Sequence, residues 1–305
     1  MDKFNGINVL SLFDGISCGQ IALERTGIKI NNYFASEIKP HAIKTTQLHY
    51  PKTIQLGNVL DVQSTDLPKI DILIGGSPCK GISRLNQNQE GLLHKESILF
   101  WEYVRLLKEC KPKYFLLENT HGHIEATKEI TTTLGVKPIS INSKLVSAQN
   151  RPRYYWTNIP DITQPKDKNI TTKDIFDYKG KLVDACRIKW LNNESGLRAI
   201  EKMYVKINPF PKAGCITALA HKKWNENYLL IDNEYKHLSQ HDLEKLQTLP
   251  IDYTKHLTYG EAYDVIGDCW TVDVISHIFS FIPELNKPYS TGKPTQLNLL
   301  DLIGV

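Results

Sequence analysis

Short apolar segments alternate with helical patterns along the first 160 residues, and this alternation restricts the possible folds more than any other feature. The apolar segments predict strands at 8–13, 31–38, 71–77, 114–120 and 154–159. Helical spacing or a helix-opening proline lies between several of them, as at 96–110 and at Pro40. Strands separated by helices form a mostly parallel sheet covered on both faces, so we predict an α/β fold.

Chemically active side chains follow several of these predicted strands. Asp14, Glu37, Cys79 and Glu118 each stand at or just after the end of a strand. Because the carboxyl ends of parallel strands lie at one edge of a sheet, ligands bind beyond that edge. We therefore expect these four residues to lie around one site.

The composition narrows the class of protein. No apolar run reaches the roughly 18–20 residues of a membrane span, and the first residues have the wrong flanks for a secretory signal. The six cysteines are scattered without a C-x-x-C pair, which argues against a zinc site and against a disulfide scaffold. We therefore predict a protein of the reducing cytoplasm that uses no metal and no membrane.

Basic and aromatic residues are interleaved in the middle of the chain. Nine Lys or Arg residues lie between 181 and 223 against three acidic residues, whereas the whole chain has a net charge of only +4. This mixture is typical of a nucleic-acid surface, and a solvated face of an α/β protein explains it equally well.

The strand and helix signals are weak from about 160 to 234 and return beyond that point. Ser239 and Asp242 have the spacing of a capping box that opens a helix. The segment 267–282 predicts a turn that leads into a further helix.

The segment "IDILIGGSPCKGIS" (70–83) places a cysteine at the end of a predicted strand. Its two glycines allow close approach of another molecule, and Pro78 restricts the backbone just before Cys79. Most cysteines in such proteins are buried packing residues, but this position favours a thiol at the rim of the ligand site. The thiol needs activation, because free cysteine is mostly protonated at neutral pH.

Acidic and basic side chains flank two later strands. Glu118 ends an apolar strand, where it belongs either to a surface turn or to a site in which it exchanges a proton. In "QNRPRYYW" (149–156), Arg151 and Arg153 lie two residues apart, so on an extended segment both point the same way. By itself such a pair is more often a surface feature.

The turn "LFDGISCG" (12–19) is similar to glycine turns that let a nucleotide approach a helix N-terminus, although it lacks the G-x-G-x-x-G pattern. Glu37 ends the second strand, where an acidic residue commonly accepts hydrogen bonds from ribose hydroxyls. Together the two features favour a ligand that contains a nucleoside.

Taken in order, these motifs resemble those of the C5 cytosine-DNA methyltransferases. The order is an F-D-G turn, an acidic residue ending the second strand, G-G-S-P-C, E-N and Q-x-R-x-R. The resemblance covers about residues 8–160 and 214–282, and "GGSPC", "LFWEY" and 267–279 are most similar to de novo-type animal enzymes. Frequent Lys, Asn and Ile are compatible with a low-GC bacterium or its phage, so we expect a bacterial or phage member.

The resemblance implies a Rossmann-like methyltransferase fold with S-adenosyl-L-methionine as cofactor and S-adenosyl-L-homocysteine as its product. The implied substrate is a cytosine flipped out of double-stranded DNA. By the same resemblance Cys79 is the thiolate that adds to C6 of the base, and Glu118 holds N3 and the exocyclic amine. Arg153 positions the base, and Arg151 supports Glu118 or the nearby backbone.

Cofactor contacts are implied where this sequence matches the family's motifs. The matching residues are Phe13, Asp14, Gly15, Ile16, Glu37, Ile38, Asn58, Val59, Pro78 and Trp270. Asn58 stands where the family has Asp, and we expect it still to accept a hydrogen bond from the adenine amine. Lys80 in place of Gln or Asn, and Gly267-Asp268-Cys269 in place of a Gly-Asn turn, would tune the cofactor pocket or the loop motion.

DNA contacts are implied in the polar loop 80–94, which matches a mobile catalytic loop of the family. Arg84 or Leu85 is the candidate wedge that fills the space left by the flipped base. The predicted DNA-binding residues are Lys80, Ser83, Arg84, Leu85, Asn86, Gln87, Lys222 and Lys223.

The predicted organisation has two parts. Residues 1–160 and 236–305 form the catalytic domain, and residues 161–235 form a small target-recognition region. We expect a monomer in the cytoplasm of a bacterial host. Whether it serves a restriction–modification system with a cognate nuclease, protects a phage genome or regulates is left open.

Two other functions remain open at this point. The first is an RNA (tRNA-like) cytosine-C5 methyltransferase, because the related RNA enzymes share the Pro-Cys, Glu-Asn and double-arginine motifs. The second is a catalytically silent homologue that only binds nucleic acid, against which the intact Cys79, Glu118, Arg151 and Arg153 argue.

Overall fold

The computed structural model describes residues 6–77, 98–122, 124–202, 206–208 and 211–283. Its strands are β1 (Ile7–Leu12), β2 (Ile30–Ser36), β3 (Ile54–Gln55), β4 (Ile72–Gly75), β5 (Tyr114–Thr120), β6 (Ile139–Asn142), β7 (Pro152–Thr157), β8 (Lys206–Asn208), β9 (Asn227–Ile231) and β10 (Glu234–His237). Its helices are α1 (Cys18–Arg25), α2 (Pro40–His49), α3 (Ile98–Cys110), α4 (Ile124–Leu134), α5 (Thr172–Ile175), α6 (Ala185–Leu191), α7 (Glu194–Glu201), α8 (Gln240–Leu246), α9 (Tyr259–Asp268) and α10 (Val272–Phe279).

Seven strands form one sheet in the order β3-β2-β1-β4-β5-β7-β6. The strands β1 to β5 run parallel, and β7 pairs antiparallel with both β5 and β6. Crossover connections return to the sheet on either side of β1, so the strand order reverses there. The predicted α/β fold with a mostly parallel sheet is confirmed.

Helices cover both faces of this sheet because successive apolar side chains of a strand point to opposite faces, so both faces are apolar. Ile72 and Ile74 pack on one face with helices α1 and α10, whereas Leu73 packs on the other face with α3 and α4. Burial of an aliphatic side chain contributes about 1.5–3 kcal/mol, so this two-sided pattern fixes which way each strand faces. Because β1, β2, β4 and β5 run parallel, their carboxyl ends, which carry the polar residues, lie at one edge of the sheet.

The strands predicted at 8–13, 31–38, 71–77 and 114–120 begin and end within two residues of β1, β2, β4 and β5. Ser239 caps α8 and forms the predicted capping box with Asp242, whose carboxylate accepts from the Ser239 backbone N–H at 2.9 Å. The strand predicted at 154–159 begins earlier, at Pro152, and lies at an antiparallel position. In the described ranges no helix is long and apolar enough to cross a membrane.

A second, three-stranded sheet in the order β10-β9-β8 follows the large sheet along the chain. It has its own small core, formed by Val183, Leu191 and Tyr228. The buried carboxylate of Glu226 joins Arg187 of α6 at 2.5 Å and His237 of β10 at 3.2 Å. This small sheet falls largely within the predicted region 161–235, and β10 continues to His237.

Candidate active site

Strands β5 and β7 bring a carboxylate and a guanidinium group together. Glu118 lies opposite Tyr155 in the antiparallel ladder, and Thr120 lies opposite Arg153. Glu118 and Arg153 are therefore diagonal neighbours on one face, within reach of long side chains. Arg153 Nε lies 3.0 Å from Glu118 Oε1, and each side chain is only 12% exposed. An ion pair so shielded from water has a fixed geometry.

A second donor occupies the other oxygen of this carboxylate. The indole N–H of Trp270 donates to Glu118 Oε2 at 3.0 Å. Trp270 lies between the end of α9 and the start of α10, far from Glu118 in sequence. Two separate segments thus hold the two oxygens of Glu118, and with respect to the described residues each oxygen retains a lone pair that a ligand could use.

Asn119 faces the opposite side of β5 and contacts the chain that leads to the predicted nucleophile. Its side-chain amide donates to the Ser77 hydroxyl at 3.2 Å and to the Ser77 carbonyl at 3.4 Å. Ser77 is the residue before Pro78 and Cys79. Pro78, Cys79, Lys80, Ser83, Arg84, Leu85, Asn86 and Gln87 lie outside the described residues.

Arg151 has a different environment from Arg153. Its side chain is buried and donates to the carbonyls of Ile216 at 2.5 Å, Gly267 at 3.1 Å and Cys269 at 2.9 Å. These carbonyls belong to the end of α9 and to the segment after β8. The two-residue spacing predicts that both guanidinium groups point the same way, and in the structure Arg151 binds backbone carbonyls while Arg153 binds Glu118.

Cys215 lies between the two arginines, a position that sequence reasoning missed. Its sulfur is 3.4 Å from Arg151 Nη1 and 3.7 Å from Arg153 Nη2. Burial raises the pKa of this thiol, but the charges of Arg151 and Arg153 outweigh burial and hold the pKa below its ordinary value. The only signal in the sequence was its place at the start of the second matched part, 214–282.

The turn after β1 has a backbone shape suited to a ligand. Phe13, Gly15 and Ser17 have φ values of 58°, 63° and 57°, in the left-handed region. A Cβ placed on Gly15 would meet no atom of the described residues within 4 Å, so among them the space beside it is open. The neighbouring Ile16 is fully buried, and its carbonyl accepts from the hydroxyl of Tyr253 at 2.9 Å.

The carboxylate of Asp14 is turned into the protein, although the sequence placed Asp14 among the ligand contacts. It accepts from the hydroxyls of Ser11 and Ser17, each at 2.6 Å, and of Tyr33 at 2.7 Å. Burial raises the pKa of Asp14 to about 6, because loss of water outweighs these hydrogen bonds, which lower it. Asp14 therefore stabilises the turn through hydrogen bonds to side chains within the protein.

Glu37 links the end of β2 to this turn. One of its carboxylate oxygens accepts from the Gly15 backbone N–H at 2.8 Å, and the other accepts from the N–H groups of Ile38 and Lys39. Beside it Ile38 is 68% exposed, and Leu60, after the end of β3, is 49% exposed. A carboxylate beside an exposed apolar side chain fits a nucleoside, with its ribose hydroxyls and flat base.

Asn58 and Val59 lie at the edge of the same area. Asn58 Oδ1 accepts from the Leu60 backbone N–H at 3.1 Å and starts a short 3₁₀ helix, Val59–Asp61. Val59 is buried beneath it. The Asn58 carbonyl thus already has one partner and retains a second lone pair.

The two lysines predicted to contact DNA differ in their surroundings. Lys222 Nζ forms an ion pair with Asp264 Oδ2 of α9 at 2.7 Å, and Lys223 is exposed. Asp268, one of the positions that depart from the family's pattern, forms an ion pair with Lys39 near Glu37.

Comparison with known families shows what the chain is similar to. Residues 7–138 and 137–284 match the model of the family described as C-5 cytosine-specific DNA methylase. The type II methyltransferase M1.ScrFI of Lactococcus lactis subsp. cremoris is 33% identical over 303 residues, which cover 88% of this chain and 76% of that protein.

Phage proteins match over a shorter range. The orphan methyltransferase M.Rho11sI of Bacillus phage rho11s is 31% identical over 204 residues, which cover 62% of this chain and 40% of that protein. The chain thus spans less than half the length of this relative.

Solved structures share the fold at low sequence identity. Entamoeba histolytica methyltransferase EhMeth superposes with a TM-score of 0.73 at 16% identity, over 92% of this chain and 98% of that one. The S. pombe Dnmt2 methyltransferase gives a TM-score of 0.68 at 14% identity, over 92% and 99% of the two chains. At such identities the likeness establishes the fold alone.

Proposed function

The chain belongs to the C-5 cytosine-specific DNA methylase family, and on that premise we propose that it methylates C5 of a cytosine flipped out of double-stranded DNA. The observation that supports this most is the carboxylate of Glu118, held by Arg153 and Trp270. It lies on the strand beside β4, from which the chain leads through Ser77 to Cys79. A nucleophile and a fixed acceptor at one edge suit chemistry on a heteroaromatic ring.

The proposed reaction makes an unreactive carbon nucleophilic. The Cys79 thiolate adds to C6 of cytosine, which removes the C5–C6 double bond and leaves an enamine between C4 and C5. Its C5 would take the methyl group that the bound cofactor supplies, with S-adenosyl-L-homocysteine as the leaving group. Glu118 accepts a hydrogen bond from the exocyclic amine and orients N3, while Arg153 keeps the carboxylate in place. A base then removes the C5 proton, the C6–S bond breaks, and the thiolate leaves with 5-methylcytosine formed.

S-adenosyl-L-methionine is the proposed cofactor and, when bound, would supply the methyl group as an electrophile. The described residues fit it, since Gly15 borders open space and the exposed apolar side chain of Ile38 adjoins Glu37 in the chain. We assign the cofactor to the turn at Phe13–Ile16, to Glu37 and Ile38, to Asn58 and Val59, and to Pro78 and Trp270. Asp14 acts within this set by shaping the turn.

Arg151 and Cys215 complete the proposed site without touching the base. Arg151 fixes the end of α9 by donating to the Gly267 and Cys269 carbonyls, next to Trp270. Cys215 contacts both guanidinium groups and limits the movement of Arg153. Both are proposed as positioning residues.

DNA recognition is assigned to the small region 161–235 and to the loop 80–94, with residues 1–160 and 236–305 as the catalytic domain. The predicted DNA contacts Lys80, Ser83, Arg84, Leu85, Asn86, Gln87, Lys222 and Lys223 stay predictions. Names of bacterial and phage methyltransferases among the relatives support a bacterial host cytoplasm. We further propose that the chain acts as a monomer and that a cognate restriction nuclease belongs to the same system.

The test is methyl transfer from labelled S-adenosyl-L-methionine to duplex DNA of mixed sequence and, in parallel, to a tRNA pool. We expect label in duplex DNA, at cytosines of one recognition sequence identified by sequencing the modified positions. Label confined to tRNA would favour the RNA alternative, and absence of label from both would contradict methyl transfer.

A further inference from the structure

Trp270 occupies a tight space between two glycines. A Cβ placed on Gly76 would lie 2.9 Å from Trp270 Nε1 and 3.0 Å from Glu118 Oε2. A Cβ placed on Gly19, in α1, would lie 3.5 Å from Trp270 Cζ3. The indole therefore reaches from the helix behind the cofactor turn to the strand end that leads to Cys79.

Both chain neighbours of Trp270 are anchored. The carbonyl of Cys269 accepts from Arg151 Nη2 at 2.9 Å. The buried hydroxyl of Thr271 donates to Gln247 Oε1 at 2.7 Å and accepts from the Ser143 hydroxyl at 2.8 Å. A side chain whose two neighbours are held in this way has little freedom to move, so its N–H is aimed at a fixed point.

That point is the second oxygen of Glu118. Arg153 alone would hold Oε1 and leave the carboxylate free to rotate about the Cγ–Cδ bond. A second donor on Oε2 at 3.0 Å fixes the plane of the carboxylate as well. Hydrogen bonds of this kind to a charged group are the stronger ones in proteins.

We propose that Trp270 is a positioning residue that sets base specificity, by orienting Glu118 toward the exocyclic amine of the target cytosine. The inference rests on the proposed function, because it takes Glu118 as the group that contacts the base. It goes beyond a cofactor contact, since the N–H of the indole acts on the carboxylate.

The experiment compares cytosine with 2-pyrimidinone, which lacks the exocyclic amine, at the target position of otherwise identical duplexes. Single-turnover methyl transfer is measured at saturating cofactor for the wild type and for Trp270→Phe, which keeps a ring in the gap but has no N–H. We expect the cytosine-to-pyrimidinone rate ratio to fall about tenfold or more in Trp270→Phe. A merely structural defect lowers both rates equally, and an unchanged ratio would overturn the proposal.

A second variant, Gly76→Ala, disturbs the hydrogen bond between Trp270 and Glu118 without changing either partner. Gly76→Ala leaves Trp270 and Glu118 intact but places a methyl group within 3.0 Å of both polar atoms, so the bond has to lengthen. We expect the same loss of base selectivity as in Trp270→Phe. Selectivity retained in Gly76→Ala would likewise refute the proposed role of the indole.

The matched control is Trp156→Phe, which removes an indole N–H bond of the same length, 3.0 Å to the Thr131 hydroxyl, away from the site. Its rate ratio should equal that of the wild type, although its stability falls. Adding Trp270→Phe to Glu118→Gln should cause no further loss of selectivity, because the bond acts only through the carboxylate.

The wild-type rates distinguish a failure of the proposed function from a failure of the proposed role of Trp270. Methylation of cytosine with selectivity over 2-pyrimidinone supports the proposed function whatever Trp270→Phe does. If the wild type methylates and selects while Trp270→Phe selects equally well, only the role of Trp270 fails. If the wild type transfers no methyl group, the proposed function fails and this inference fails with it.

Discussion

The side-chain amide of Asn119 donates to the hydroxyl of Ser77 over 3.2 Å and so ties strand β5 to the residue two positions before Cys79. Asn119 and Glu118 are consecutive and face opposite sides of the strand. One residue holds the base-contacting carboxylate in our proposal, and the other holds the start of the segment with the nucleophile.

Replacing Asn119 with Ala should slow methyl transfer about tenfold and lower the free energy of unfolding by about 1 kcal/mol. The buried amide contributes roughly 1 kcal/mol as a hydrogen-bond donor, and its removal frees the start of the Cys79 segment. Single-turnover kinetics and urea unfolding measure the two effects. Asn158→Ala is the control, because Asn158 makes similar side-chain contacts at the other end of β5, with Phe115 N and Lys113 O at 2.9 Å; an equal rate loss there would contradict the assignment.

Cys215→Ala should lower the methyl-transfer rate about fivefold, which corresponds to about 1 kcal/mol. The substitution removes the sulfur that contacts Arg151 and Arg153 at 3.4 and 3.7 Å. Cys215→Ser keeps a polar atom there and should restore most of the rate. Cys186→Ala, at an exposed thiol, is the control. A Ser variant as slow as the Ala variant would show that only volume matters.

Asp14→Asn should change how stability depends on pH between about 4 and 6. The pKa of Asp14 is raised from 3.8 to about 6 in the folded protein, so the unfolded state releases its proton first as pH rises. Folding stability from this group therefore falls across that window, by on the order of 1–3 kcal/mol, and stays level above it. Urea unfolding at pH 4 and pH 7 should show Asp14→Asn gaining stability relative to the wild type at the higher pH. A difference that is the same at both pH values would contradict the buried titration.

Glu226→Gln should destabilise the small three-stranded region by about 1–3 kcal/mol, because it removes the buried charge that pairs with Arg187, whose side chain is 14% exposed, at 2.5 Å. Duplex DNA binding should weaken while S-adenosyl-L-methionine binding persists, since Glu226 pairs with Arg187 and His237, which are not among the proposed cofactor contacts. Glu194→Gln, in an exposed ion pair with Arg198, should leave both unchanged. DNA affinity unaffected by Glu226→Gln would argue against recognition by this region.

The sequence predicted the parallel strands β1, β2, β4 and β5, because these strands are largely buried and read as apolar runs, but it missed the short edge strand β3, which is partly exposed. It also located Glu118 and Arg153, since strand ends and the two-residue period of an extended segment are local signals. The capping box at Ser239 was equally readable.

Contacts between distant segments could not be predicted in this way. Nothing near Trp270 in the sequence indicates that its N–H meets Glu118, 152 positions away. The period of two placed Arg151 and Arg153 on the same side, but only the position of the end of α9 beside Arg151 decides that Arg151 binds the carbonyls there. Cys215 and the inward turn of Asp14 likewise depend on which side chains the fold brings together.

The most direct test of the central claim is covalent trapping on duplex DNA that carries 5-fluorocytosine at the target position. Fluorine at C5 cannot leave as a proton, so the base stays attached to the nucleophile after methyl transfer. We predict an adduct that resists denaturation, requires S-adenosyl-L-methionine, maps to Cys79 by peptide mass spectrometry and is absent in Cys79→Ala. No adduct with the wild type, or an adduct that persists in Cys79→Ala, would contradict the account.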